Sequence, residues 1–132
     1  MSSIFTKIIN REIPGHIVAE DDKHIAILDI NPNVQGHTLC IPKKEVNKLF
    51  DLSAEDYQEL MAFSRKVAIA LEKTVDCKRI GISVIGLEVP HVHVHLIPLN
   101  QMDDIRFEKK VTLSNEQFKY LASRIKSAFS GL

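Results

Sequence analysis

Three histidines, His91, His93 and His95, fall within five residues of the run Pro90-His-Val-His-Val-His-Leu-Ile-Pro98, half of the six in the chain. Imidazole titrates near neutral pH, so such a cluster can relay protons, ligate a metal or act as a nucleophile. The alternation with Val92, Val94 and Leu96 fits a strand, where successive side chains point to opposite faces. All three imidazoles then share one face, roughly 6.5–7 Å apart along the backbone. The apolar face is expected to pack on a helix, leaving the histidine face to line a cleft. Three readings are open. The first is a half-exposed strand with no chemistry. The second is a metal site, for which paired imidazoles are good zinc ligands but which needs a carboxylate or cysteine that the segment lacks. The third is attack on phosphorus by a neutral imidazole, oriented by its neighbours, which also stabilise charge.

The elements that must position this run can be read from period and punctuation. Ile4, Phe5, Ile8 and Ile9 mark a short amphipathic helix over 4–11, stopped before Pro14-Gly15. Strands are expected at 16–20, 24–30 and 37–41, separated by the polar turn Asp21-Asp22-Lys23 and by Asn31-Pro32-Asn33. Ser53 opens the longest helix, with acids in its first turn and a stripe of Tyr57, Leu60, Met61, Val67, Ala68 and Leu71. Strands at 79–85 and 91–97 follow, and Ser114-Asn-Glu-Gln117 resembles a capping box for a helix over about 115–130. Three strands, a helix, a hairpin and a helix argue for one α+β domain over 1–132, built on an antiparallel sheet.

Composition narrows the function. Lysine plus arginine equals aspartate plus glutamate at 17 each, so no overall field recruits a nucleic acid polymer. No stretch approaches the roughly 20 apolar residues that span a bilayer, so no membrane partner is expected. Met1-Ser-Ser-Ile-Phe-Thr-Lys7 has no charged-then-apolar leader layout. Cys40, within an apolar run, and Cys77, after the long helix, suggest no disulfide, so a reducing cytoplasm is the expected compartment.

His91-Val-His-Val-His-Leu-Ile resembles the motif of the histidine triad (HIT) family. Ile4-Phe5-x-Lys7-Ile8-Ile9-x-x-Glu12-Ile13-Pro14 resembles that family's opening helix. Asp29-Ile-x-Pro32 and Gly36-His37-x-Leu39-x-Ile41-Pro42-Lys43 resemble its central strands, and Gln101-Met102 lies at the usual distance beyond. The likeness covers about residues 4–102. It implies a five-stranded antiparallel sheet with helices packed on it, a homodimer, and hydrolysis of purine nucleoside phosphoramidates or related nucleotide conjugates. The alternative is a nucleotide sensor with little turnover.

The resemblance also implies roles. His93 would be the nucleophile, forming a nucleotidyl-histidine that water cleaves, with its far nitrogen donating to a fixed acceptor near His95 or a strand carbonyl. His91, His95 and His37 would complete an imidazole cluster that stabilises charge without a metal or cofactor. Asp29 would accept from both ribose hydroxyls, and Phe5, Ile8, Ile13 and Ile30 would form an apolar slot for the base, although all four fit plain core at least equally well.

Three departures qualify this. Bacterial relatives carry a Cys-x-x-Cys zinc pair where Ser3 and Thr6 stand, and Glu45 replaces that site's histidine, so zinc is not expected. The strand Arg79-Ile-Gly-Ile-Ser-Val-Ile85 lacks the family's asparagine, with Ser83 a poor substitute. The Gly-Gln-hydroxyl pattern ahead of the triad becomes Gly86-Leu87-Glu88. A carboxylate at Glu88 repels phosphate when ionised and donates a proton when neutral, so the leaving-group side is altered while the three histidines persist.

Overall fold

Each helix starts at a serine whose hydroxyl accepts from an amide that the helix itself leaves unpaired. Ser3 caps α1 (Ile4–Ile9), Ser53 caps α2 (Ala54–Thr74) and Ser114 caps α3 (Asn115–Ser130), where Gln117 completes the expected capping box. Each such cap contributes about 1 kcal/mol over alanine. The computed structural model describes residues 2–132. The strands are β1 (Ile17–Glu20), β2 (His24–Leu28), β3 (Thr38–Pro42), β4 (Arg79–Ser83) and β5 (Val94–Leu99). They form one antiparallel sheet in the order β1-β2-β3-β5-β4, the α+β architecture expected.

The last strand therefore inserts between β3 and β4, with Leu39 and Ser83 as the neighbours of His95 in register. One sheet face carries Val18, Ala26, Leu28, Cys40, Val94 and Leu96 against α2 and α3. On the other, Ile25, Ile27, Leu39 and Ile41 lie under Phe5 and Ile8 of α1. Covering on both faces explains why β2 and β3 are buried at every position.

Several boundaries differ from expectation. β2 stops at Leu28, short of residue 30, because the Asp29 carboxylate accepts from the Asn31 amide at 2.9 Å and turns the chain. β5 begins at Val94, not His91; the Val92 amide bonds to the Val46 carbonyl instead of a sheet strand. α1 ends at Ile9, and Arg11 takes φ 62° in the reversal. The turn back into β3 needs Gly36, at φ 94°, where a Cβ would stand 2.9 Å from Val75. Cys40 and Cys77 are both free thiols, and burial pushes Cys40 up to about 12. Among the described residues, no helix is long and apolar enough to cross a membrane.

Beyond β5, a 3-10 turn (Met102–Ile105) leads into residues 106–113, which run without regular structure as a strap across the β2–β3 turn. The Val111 amide donates to the Pro32 carbonyl at 3.0 Å, and Asn33 Nδ2 to the Asp104 carbonyl at 3.1 Å.

Candidate functional site

Because β5 lies beside β3, the two ends of the β2–β3 turn meet the histidine run. Asp29 follows β2 and His37 precedes β3, and His37 stands between Asp29 and the His95 ring: its Nε2 is 2.9 Å from His95 Nδ1 and 3.6 Å from Asp29 Oδ2. A cleft of about 290 Å³ opens over them, lined by Asp29, His93, His95, Phe107 and Lys110, with Ile85–Glu88 along one side. The histidine face is not half-exposed. His91 is fully buried, and His93 and His95 are buried but for the edges that line the cleft.

Fixed hydrogen-bond partners set the protons. The Asn33 amide donates to His37 Nδ1 at 3.0 Å, so that nitrogen holds a lone pair and the His37 proton sits on Nε2. This proton is donated to His95 Nδ1, which places the His95 proton on Nε2, the nitrogen left for the cleft. His93 Nδ1 lies 2.7 Å from the His91 carbonyl, a pure acceptor, so Nδ1–H donates and the neutral ring keeps its lone pair on Nε2. The acceptor for His93 is thus a backbone carbonyl, that of His91, just ahead of β5. Burial pulls His37 down to about 3 and His95 to about 4, with the neighbouring imidazoles and Lys110 adding to it. Both are neutral at pH 7. Burial also raises the Asp29 carboxyl, against the opposing pull of the Asn31 amide and Lys110.

His91 belongs to a different neighbourhood from the one expected. Its Nε2–H donates to the Pro42 carbonyl at 2.7 Å, and its Nδ1 accepts from Ser3 Oγ at 2.6 Å. Glu45 Oε1 accepts from the Ser3 amide at 2.7 Å and from Thr6 Oγ1 at 2.6 Å, tying α1 to this histidine. Those bonds hold Glu45 below its usual range. The ring therefore points away from the cleft, and the imidazole cluster there comprises His93 and His95, with His37 behind. The three positions that depart from the zinc pattern, Ser3, Thr6 and Glu45, close into hydrogen bonds among themselves and with His91.

Among the described residues, one group of carboxylate and imidazole side chains gathers closely enough to hold a metal. Asp29, His37 and His95 offer ligand atoms within 4.8 Å of one another. Binding a cation at His37 Nε2 would force its proton onto Nδ1, against the Asn33 N–H. Two donors would then face each other in a buried site, which costs about 1–3 kcal/mol for the lost pairing. The donor set fits a hydrogen-bond chain that fixes the tautomers of both rings better than it fits a metal.

The apolar residues divide. Phe5 packs edge-on against His93, with ring centres 4.9 Å apart, but Phe5 and Ile8 are core under α1 and Ile13 packs against that cluster. Ile30 is 74% exposed and makes no slot with them. Glu88 lines the cleft from an exposed position, while Ser83 pairs with His95 through the backbone and does not line it. Three residues were not foreseen. Asn33, fully buried, read only as a strand breaker. Phe107, whose ring packs edge-on against His95 at 4.9 Å, and Lys110 lie on the strap. The lone aromatic within Arg106-Phe-Glu-Lys-Lys110 was the one available signal.

The chain is similar to known proteins over most of its length. Residues 10–102 match the HIT domain family. A HIT-like protein of Borreliella burgdorferi is 37% identical over 131 residues, covering 92% of this chain and 94% of that one. The adenosine 5'-monophosphoramidase HNT1 of Saccharomyces cerevisiae is 38% identical over 96 residues, covering 72% of this chain and 61% of the yeast protein. A HIT-like protein of Bartonella henselae superposes with a TM-score of 0.84 at 32% identity, covering 96% of each chain.

Proposed function

Because the chain belongs to the HIT family, we propose that it hydrolyses purine nucleoside phosphoramidates or related nucleotide conjugates through a nucleotidyl-His93 intermediate. The observation that carries this is the bond from His93 Nδ1–H to the His91 carbonyl, which leaves Nε2 as an unprotonated nucleophile at the cleft. Nε2 attacks the α-phosphorus, and the bond from phosphorus to the leaving group breaks as the leaving amine gains a proton. Water then cleaves the phosphorus–nitrogen bond, giving the nucleoside monophosphate and the free imidazole. His95 Nε2–H is the donor to the developing charge, held in that tautomer by the chain from the Asn33 amide through His37. Asp29 suits the ribose hydroxyls, and exposed Ile30 beside it offers apolar surface to the base.

The reaction is tested by quenching one turnover of a radiolabelled adenosine phosphoramidate in chelator-treated protein. A labelled adduct is expected on His93. A chain that binds AMP but never acquires label would be a nucleotide sensor, and labelling restored only by zinc or magnesium would support metal chemistry.

Glu88 stands on the leaving-group side. Its exposure means that desolvation needs the bound substrate, so a proton-donating role depends on the complex. Glu88→Gln is expected to slow substrates with poor amine leaving groups by about 10²-fold and leave good leaving groups almost unchanged. Equal acceleration of all substrates by Glu88→Ser would instead make the carboxylate a simple repeller of phosphate.

We also propose a homodimer through the edge strand β4. Ile82 is half exposed on β4, Ile85 and the almost fully exposed Leu87 follow just beyond its end, and Tyr57 is exposed on α2. Such apolar side chains along an unpaired strand edge invite pairing with a second copy. Sedimentation should give twice the chain mass, falling to one chain for Ile82→Glu; a monomeric wild type would refute the arrangement.

A further inference from the structure

A phosphate anion entering the cleft meets an unfavourable field from the residues inside the HIT match. Asp29 and Glu88 present carboxylates, while His37 and His95 are uncharged at pH 7. Hydrogen-bond donors remain, but a cation must come from elsewhere. Lys110 is the cationic side chain among the residues that line the cleft, and it arrives on the strap, beyond residue 102 where the HIT match ends.

The ammonium is anchored. Nζ donates to Asn33 Oδ1 at 2.9 Å and lies 5.1 Å from the centre of the Phe107 ring, which packs on His95. The strap beneath it is fastened by the Val111–Pro32 and Asn33–Asp104 bonds and by Lys109 Nζ on Asp104 at 2.7 Å. An ammonium has three N–H bonds. Asn33 takes one, and among the described residues it is the one hydrogen-bonded acceptor, so two are left for oxygens of a bound ligand. The field of this ammonium already reaches the floor of the cleft, where it acts on Asp29, His37 and His95 together.

We propose that Lys110 binds the substrate's phosphate and makes the cleft select anionic nucleotides over neutral nucleosides, an assignment that rests on reading the cleft as a nucleotide site. A clasp between strap and turn would use the same side chain differently. It would shape the cleft for every ligand, whereas a phosphate contact acts only on the charged one.

Calorimetric titration with AMP and with adenosine separates the two. Lys110→Met is expected to weaken AMP by about tenfold or more, the loss of a charge-assisted hydrogen bond, and to leave adenosine within about twofold. Lys110→Arg should restore most of the AMP affinity, and salt should weaken AMP in the wild type more than in Lys110→Met. Equal weakening of both ligands, no weakening of either, or a wild type that binds AMP no tighter than adenosine would each overturn the assignment. A chain that shows the Lys110-dependent preference yet labels no His93 and hydrolyses no phosphoramidate would remove the proposed reaction and leave the phosphate contact standing.

Discussion

His93→Ala is expected to reduce turnover of a nucleoside phosphoramidate by about 10⁴-fold or more, because removing a nucleophile removes the covalent route itself. AMP affinity should stay within about tenfold, or about 1.4 kcal/mol, because Nε2 bonds to phosphorus only along the reaction path. The split between the two readouts is the informative part. Lys110, Asp29 and His95 remain to hold the ligand, while no other ring in the cleft presents an unprotonated nitrogen. His95 turns Nε2–H outward, and His91 faces Ser3 and Pro42. Near-normal steady-state turnover in this variant would remove His93 from the mechanism. A matching collapse of AMP affinity would instead show that the ring, packed at 4.9 Å against Phe5, is needed to shape the cleft.

Acidification from pH 7.5 to 5.0 is expected to lower folding stability by about 4 kcal/mol, through His37 and His95. In the unfolded chain both titrate near 6.5, whereas in the native protein burial holds them at about 3 and 4. Below pH 6.5 the unfolded chain therefore binds two protons that the native one refuses. Stability is complete above 6.5 and falls with pH by about 1.4 kcal/mol per unit for each ring, until the native values are reached. His91, lowered by burial, acts in the same direction. Asp29, whose carboxyl is raised, opposes it, and the lowered carboxyls of Glu20, Asp21, Glu45 and Asp104 matter only in stronger acid. Urea unfolding midpoints at the two pH values and constant salt provide the measurement, with His37→Gln expected to remove about half of the difference. An unchanged midpoint would mean that His37 and His95 bind protons in the native protein as they do in the unfolded chain, whereas a rise on acidification would mean that the native rings are already protonated.

Local chemistry was legible in the sequence because it depends on near neighbours. Period-2 alternation placed His91, His93 and His95 against Val92, Val94 and Leu96, and the caps at Ser53 and Ser114 located the two long helices to within a residue or two. Asp29 and His37 stood out only through likeness to a family pattern, since a carboxylate at a strand end and a histidine at a strand start have ordinary explanations. The strap was illegible. Phe107 and Lys110 sit in a charged stretch without periodicity, and their position follows from where the β2–β3 turn lets the chain cross.

The sequence by itself determined an antiparallel α+β sheet and a run of alternating histidines that leads into its last strand, β5. Tertiary structure decided which histidine faces the cleft. His91 and His95 are equivalent in the alternating pattern, yet one meets Ser3 and the Pro42 carbonyl while the other meets His37 and the cleft. Alternation sets the face on which a ring stands. The tautomer and charge of that ring depend on the partner facing it, and those partners arrive from 49 to 88 residues away along the chain. Insertion of β5 beside β3 brings them together, and no local periodicity encodes that pairing.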